Sequence, residues 1–200
     1  MKSIFLSVVN SEYHKLRDLR KFGLERAGYK VVLQPTFPQT ATDTISKLSG
    51  LIKATDCVVH IVGSQLGSVP NARCQEEFFQ SFPDSVPFLG MESLLRQKMK
   101  DTSRVTYTQW EAYLAIHHRK PLLVYTSVDP EDPFHPQRNH LDLLQVVNRH
   151  AELFNEMDLG DRLLADIQYL FKDKLKLYLE IIHQEKSNSS GALTTDEWFK

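Results

Sequence analysis

Apolar positions along the first half of the chain fall into short blocks separated by polar, periodic stretches. Ile4 to Val9 (IFLSVV) is an apolar run rich in β-formers that turns polar at once, which predicts a buried strand. Asn10 or Ser11 then offers a helix cap, and SEYHKLRDLRKFGLERAG sets Leu16, Leu19, Gly23 and Ala27 on one stripe before stopping at Gly28. A helix of about four turns is expected there. Tyr29 to Gln34 (YKVVLQ) reads as a second strand closed by Pro35. Asp43 opens a helix with Ile45, Leu48 and Ile52 at helical spacing, ending near Ala54, and CVVHIVG after Asp56 reads as a third buried strand. Strands alternating with helices through short loops predict a parallel sheet with helices on both faces.

The alternation breaks between Val62 and Thr106, a proline-containing stretch too long for an ordinary connection and typical of a functional excursion. It resumes at Thr106, which forms a capping-box pattern with Gln109. The helix TYTQWEAYLAIHH follows, with Trp110, Tyr113, Leu114 and His117 on its apolar side. Pro121 leads into a fourth strand, LLVYTS. Beyond the loop DPEDPFHPQ, Leu141 to Phe154 and Asp161 to His183 read as helices, and the chain closes on a polar tail.

Composition narrows the partners. The chain has 200 residues, enough for a full core without staples, and its 24 Lys and Arg against 25 Asp and Glu leave a formal net charge of -1. No whole-molecule field draws it to nucleic acid or an acidic membrane. No run approaches a membrane span, and the N-terminal MKSIFLSVVNSEYHKLR lacks the form of a signal peptide. Two cysteines, Cys57 in an apolar run and Cys74 in a polar one, suit a reducing, cytoplasmic setting, and no four-ligand cluster suggests zinc.

Ligands of open parallel sheets bind beyond the carboxyl ends of the strands, where strand order reverses. That rim carries Ser7, Asn10, Ser64 and Tyr107 as hydrogen-bonding substrate contacts, although each is also a natural cap or turn residue and Asn10 is better suited as a cap. Glu111 lies one turn inside the helix that starts on the rim. The macrodipole favours its ionised form there, as a stabiliser of positive charge or a nucleophile. Its plain role is an exposed Glu offsetting the dipole, but Ala112, Ala115, Tyr107 and Trp110 around it suggest a carboxylate in an apolar-walled cleft. Trp110 either stacks on a base or, more simply, fills the core. VGSQLGS lacks the Lys-Ser/Thr of a P-loop, so its glycines read as turn residues. His60, alternating within an apolar strand, reads as a packed core histidine, and Cys57 as a buried thiol.

The order of three segments, IFLSVVNSEYHKLRDLRKFGLERAGYKVV, DTISKLSGLIKATDCVVHIVG and YTQWEAYLAIHHRKPLLVYT, resembles the TIR-like domains found at the N-termini of bacterial multidomain proteins. The resemblance covers roughly residues 3 to 128, and nucleoside 2-deoxyribosyltransferases share a similar layout. Pattern and resemblance together imply an α/β protein of three-layer, flavodoxin-like or TIR-like fold with a four- to five-stranded parallel sheet. Residues 1–158 form the domain, with 71–103 inserted relative to a minimal TIR domain. Residues 159–185 form a C-terminal helical extension, and 186–200 a polar tail or linker.

Enzymatic TIR domains cleave NAD at the nicotinamide–ribose bond, and the matching glutamate is Glu111. NAD is then a substrate, with no cofactor implied. The resemblance further implies homo-oligomerisation as the activating event, in bacterial defence signalling. Many TIR domains only self-associate, which makes a non-catalytic interaction module the competing reading, and a deoxyribosyltransferase-like enzyme is the third. An open pocket holding Glu111 with Ser7 and Tyr107 favours the enzymes, and a filled one favours the interaction module.

Overall fold

The computed structural model describes residues 1–34, 44–80, 93–94 and 104–172. Its chain order is β1 (Ser3–Val8), α1 (Asn10–Arg26), β2 (Lys30–Val32), α2 (Thr44–Lys53), β3 (Cys57–Val62), α3 (Ala72–Gln80), α4 (Tyr107–His117), β4 (Leu122–Thr126), α5 (Arg138–Val146) and β5 (Ala151–Leu153). A further helix, α6, spans 159–172. The protein is α/β, with a five-stranded, all-parallel sheet of order β2-β1-β3-β4-β5, as in flavodoxin-like three-layer folds. The chain divides into two compact units, 1–157 and 158–200. Within the second, Leu159, Leu163 and Ile167 recur every four residues of α6. Among the described residues no helix is long and apolar enough to cross a membrane.

β3 is buried along its whole length, as its unbroken apolar run requires at the centre of a parallel sheet. Strand alternation sends Phe5 and Ser7 of β1, Val58, His60 and Val62 of β3 and Val124 of β4 to one face. There they meet Ile45, Leu48 and Ile52 of α2, Trp110 and Leu114 of α4 and Leu141 and Leu144 of α5 in one core. The capping box forms as its sequence prescribes: Thr106 Oγ1 accepts from Gln109 N–H and Gln109 Oε1 accepts from Thr106 N–H.

Several expectations need correction. The stripe of α1 is Tyr13, Leu16 and Leu24, whereas Leu19, Gly23 and Ala27 face water. Leu24, eight residues after Leu16, lies on the same side as Tyr13, and Leu19 falls outside that face. Neither Asn10 nor Ser11 caps α1. The cap position falls on Val9, without a side-chain hydrogen bond, because the backbone N–H groups of Glu12 and Tyr13 already bond to the Val9 carbonyl. Helix α4 has no polar side over Thr108–Ala115: it is enclosed throughout, with α2 packed along it and Trp110 reaching α3.

The helix expected over 141–154 ends at Val146, and Ala151–Leu153 is instead a strand paired with β4. Asn148 adopts a left-handed backbone (φ 59°), and Arg149 N–H returns to the Leu144 carbonyl, which closes the helix and turns the chain. The half-exposed β5 carries no apolar pattern, so backbone pairing alone defines it. Of the inserted 71–103, Ala72–Gln80 is helical; 81–92 and 95–103 lie outside the described residues, as do 173–185 and the tail 186–200.

Candidate functional site

Strand order reverses between β1 and β3, since the chain leaves β1 for β2 on one side and returns to β3 on the other. Ser7 and His60 face each other in that register. Both point to the face covered by α4 and α5, and a buried polar row grows from them. Ser7 Oγ lies 2.7 Å from His60 Nδ1, His60 Nε2 lies 2.8 Å from His140 Nε2, and His140 Nδ1 lies 2.8 Å from the Tyr113 hydroxyl. Glu111 lies buried beside Ser7 at the other end.

Electrostatics here follow from dryness. Glu111 is 1% exposed. Burial raises its pKa to about 8, against the lowering effect of the neighbouring Ser7 hydroxyl. The expectation of an ionised carboxylate is therefore corrected. A helix macrodipole offers about 0.3–1 kcal/mol at an exposed site, and desolvation of a fully buried carboxylate outweighs it. Near neutral pH Glu111 is mostly the neutral acid. Its Oε1 is buried and finds no hydrogen-bond partner among the described residues. Such an atom is uncommon in native interiors and marks a candidate site. Burial also drives His60 down to about 3 and His140 well below its ordinary value, so both rings are neutral. The Tyr113 hydroxyl is pushed up by burial.

Of the residues expected on the rim, Ser7 and Glu111 meet. The others are engaged elsewhere. Asn10 Oδ1 accepts from Arg17 Nη1 at 2.5 Å on the surface of α1. Ser64 donates to Glu12 through both its backbone N–H and its hydroxyl, each at 2.8 Å, and Gln65 N–H donates to the same carboxylate at 2.9 Å. Two of the amides of VGSQLGS, those of Ser64 and Gln65, are thus held by the Glu12 carboxylate. Tyr107 is half-buried, with Thr44 beside its hydroxyl. Trp110 is fully buried, its Nε1–H donating to Gln75 Oε1 at 3.1 Å and its ring edge-on to Tyr113. The core alternative given for Trp110 is the one observed. Glu111 and Ser7 do not line an open pocket, since both are closed off from solvent.

Three residues of this neighbourhood escaped the sequence reading. His140 and Tyr113 complete the row, and Glu12 anchors the loop after β3. His140 lies 80 positions from His60 on a different element, and no local pattern announces such a pairing. Tyr113 gave a signal only as one of several apolar positions on α4. Among the described residues no group of three or more His, Cys, Asp or Glu is arranged to hold a metal. No family model matches the chain, and no curated protein matches it either.

Proposed function

We propose that the chain cleaves the N-glycosidic nicotinamide–ribose bond of NAD, with Glu111 as the carboxyl that meets the ribose. The observation that carries this reading is a buried carboxyl with one unpartnered oxygen, beside Ser7 at the reversal of strand order, where ligands of open α/β sheets bind. Nicotinamide in NAD is cationic, and a cation brought next to Glu111 favours its ionised form. As the C1′–N bond breaks, the bonding pair leaves with nicotinamide, and positive charge develops on C1′ and the ring oxygen of ribose. A carboxylate in a dry site stabilises that charge strongly. Water then adds to C1′ and releases a proton. Because Glu111 is sealed in the described state, turnover requires a rearrangement that exposes it. Self-association is the proposed trigger, in the setting of a cytoplasmic bacterial defence protein.

The same sealing favours a second reading, a non-catalytic interaction module. Leu19 and Phe22 stand 58% and 57% exposed on the outer side of α1, apolar surface that a partner copy would cover. Purified protein incubated with NAD, dilute and under crowding, decides between them. Nicotinamide release by wild type but not by Glu111→Gln supports cleavage. No Glu111-dependent release under either condition overturns it. Loss of self-association in Leu19→Glu/Phe22→Glu, without any turnover in wild type, establishes the module. Base exchange on deoxynucleosides with no NAD turnover would identify a deoxyribosyltransferase instead.

A further inference from the structure

Gln137, buried just before α5, ties three segments of the strand-end rim together. Its Nε2 donates to the carbonyls of Gly63 and Gln65 in the loop after β3, at 3.0 Å each, and its Oε1 accepts from Gln109 Nε2 in the first turn of α4 at 3.3 Å. Gln109 Oε1 already accepts from the Thr106 N–H, and carbonyls only accept, so each amide side chain has one orientation. The backbone N–H of Gln137 donates in turn to His135 Nδ1 at 3.0 Å.

That last bond fixes a proton. An Nδ1 that accepts carries no hydrogen, so the neutral His135 ring holds its proton on Nε2. Burial keeps the ring neutral by lowering its proton affinity, with Arg138 in support and Asp132 and Glu12 opposed. His135 is 3% exposed, and its Nε2 finds no hydrogen-bond partner among the described residues. A buried donor is costly to leave unpaired, and this one is held in a fixed direction by the Gln137 clasp. Phe134 and Pro136 on either side of it are exposed, so the ring turns inward from a surface loop. Glu111 Oε1 is the second buried, unpartnered atom on this rim. Glu111 lies two positions beyond Gln109, as His135 lies two before Gln137.

We infer that His135 is a ligand-binding residue whose Nε2–H donates to an uncharged oxygen, a sugar hydroxyl or a carboxamide carbonyl, of a molecule seated on this rim. The class of oxygen follows from charge. The ring is neutral, the Ser64 and Gln65 amides are engaged by the Glu12 carboxylate, and Glu12 and Asp132 place negative charge near the ring. A phosphate is disfavoured there. The ligand's identity rests on the reading in which Glu111 meets the ribose of NAD. His135 then takes a ribose hydroxyl or the nicotinamide carboxamide of the same molecule.

The test is NMR of the full chain labelled with 15N-histidine, with ADP-ribose, nicotinamide or inorganic phosphate added. ADP-ribose offers ribose hydroxyls without a carboxamide, and nicotinamide the reverse, so the one that acts identifies the source of the oxygen. The expected result is a His135 ring protonated on Nε2, whose N–H signal shifts and exchanges more slowly with water when either organic probe binds. Phosphate leaves it in place. Two variants then separate binding from structure. His135→Asn keeps an acceptor for the Gln137 N–H but has no donor at the Nε2 position, whereas His135→Gln keeps the donor and loses the acceptor.

A binding role predicts that calorimetric affinity for the responding probe falls about tenfold in His135→Asn and is largely kept in His135→Gln. Equal affinities in the two variants, or weaker binding by His135→Gln, overturn the inference. So does a ring protonated on Nδ1, or a signal that no probe moves or that phosphate alone moves. If either variant does not fold, the wild-type signal decides. A His135 response in a protein that never releases nicotinamide removes the cleavage reading alone. Glu111-dependent release with a KM untouched by His135→Asn removes the role of His135 alone.

Discussion

Glu12 and Ser64 are joined twice, the Glu12 carboxylate accepting from both the backbone N–H and the hydroxyl of Ser64 at 2.8 Å. The first turn of α1 is thereby tied to the loop after β3, across the point where strand order reverses. A Cβ at Gly63 would fall inside the Glu12 carboxylate and the Tyr13 ring, which explains the glycine there.

Glu12→Ala removes three charge-assisted hydrogen bonds at a half-exposed site and is expected to cost about 1 kcal/mol. Gly63→Ala forces the carboxylate and the Tyr13 ring aside and should cost more, about 2–3 kcal/mol. Because both act on one contact, the double variant should be less destabilised than the sum of the singles. Urea denaturation of the four proteins measures this, and strict additivity would refute the shared contact.

Stability should peak near pH 6.5 and fall on both sides. Glu111 keeps its proton up to about 8 in the native state, while the unfolded carboxyl releases it near 4.5, so its contribution declines as pH rises through that window and then levels off. The histidines act oppositely. His60 (about 3), His118 (about 4) and His140 (well below its usual value) stay neutral in the fold, whereas their unfolded forms take up protons near 6.5. Acidification below that point therefore destabilises, and three histidines outweigh one carboxyl. Glu111→Gln should abolish the alkaline decline and raise stability at pH 8 by on the order of 2 kcal/mol. Thermal melts across pH 4–9 provide the check.

Ser7→Ala should destabilise the fold by about 1–3 kcal/mol, because it strips the partner from His60 Nδ1 in a dry interior. Ser7 lowers the carboxyl's proton affinity, so its removal should extend the alkaline decline to higher pH. An unchanged pH profile would show that Glu111 does not depend on Ser7.

Trp110→Phe keeps a ring in the core but deletes the donor to Gln75, an expected cost of about 2 kcal/mol. Gln75→Ala in the same background should add little. Equal effects of Gln75→Ala in wild type and variant would mean that the two side chains are not coupled.

The parts of the fold that were legible in the sequence are those specified locally. The apolar runs at β1, β3 and β4, the spacing of Ile45, Leu48 and Ile52, and the Thr106–Gln109 capping box each encode their element within a few residues. Leu19 misled because helical spacing alone does not fix where the buried face is centred: it lies on the side of Tyr13, Leu16 and Leu24, and Leu19 falls outside it. β5 was invisible because three half-exposed residues at a sheet edge carry no alternation; only parallel pairing with β4 makes them a strand.

The candidate site divides in the same way. By itself the sequence determined that Ser7 lies near the end of a buried strand and that Glu111 sits one turn into a capped helix, since strand ends and helix starts are short-range features. Tertiary structure alone decided that Glu111 is enclosed rather than exposed, and that Ser7, His60, His140 and Tyr113 stand in one row with it. Burial sums contributions from every layer packed around a side chain, and a carboxyl's charge state follows from that sum. Neither quantity is contained in any window of the chain.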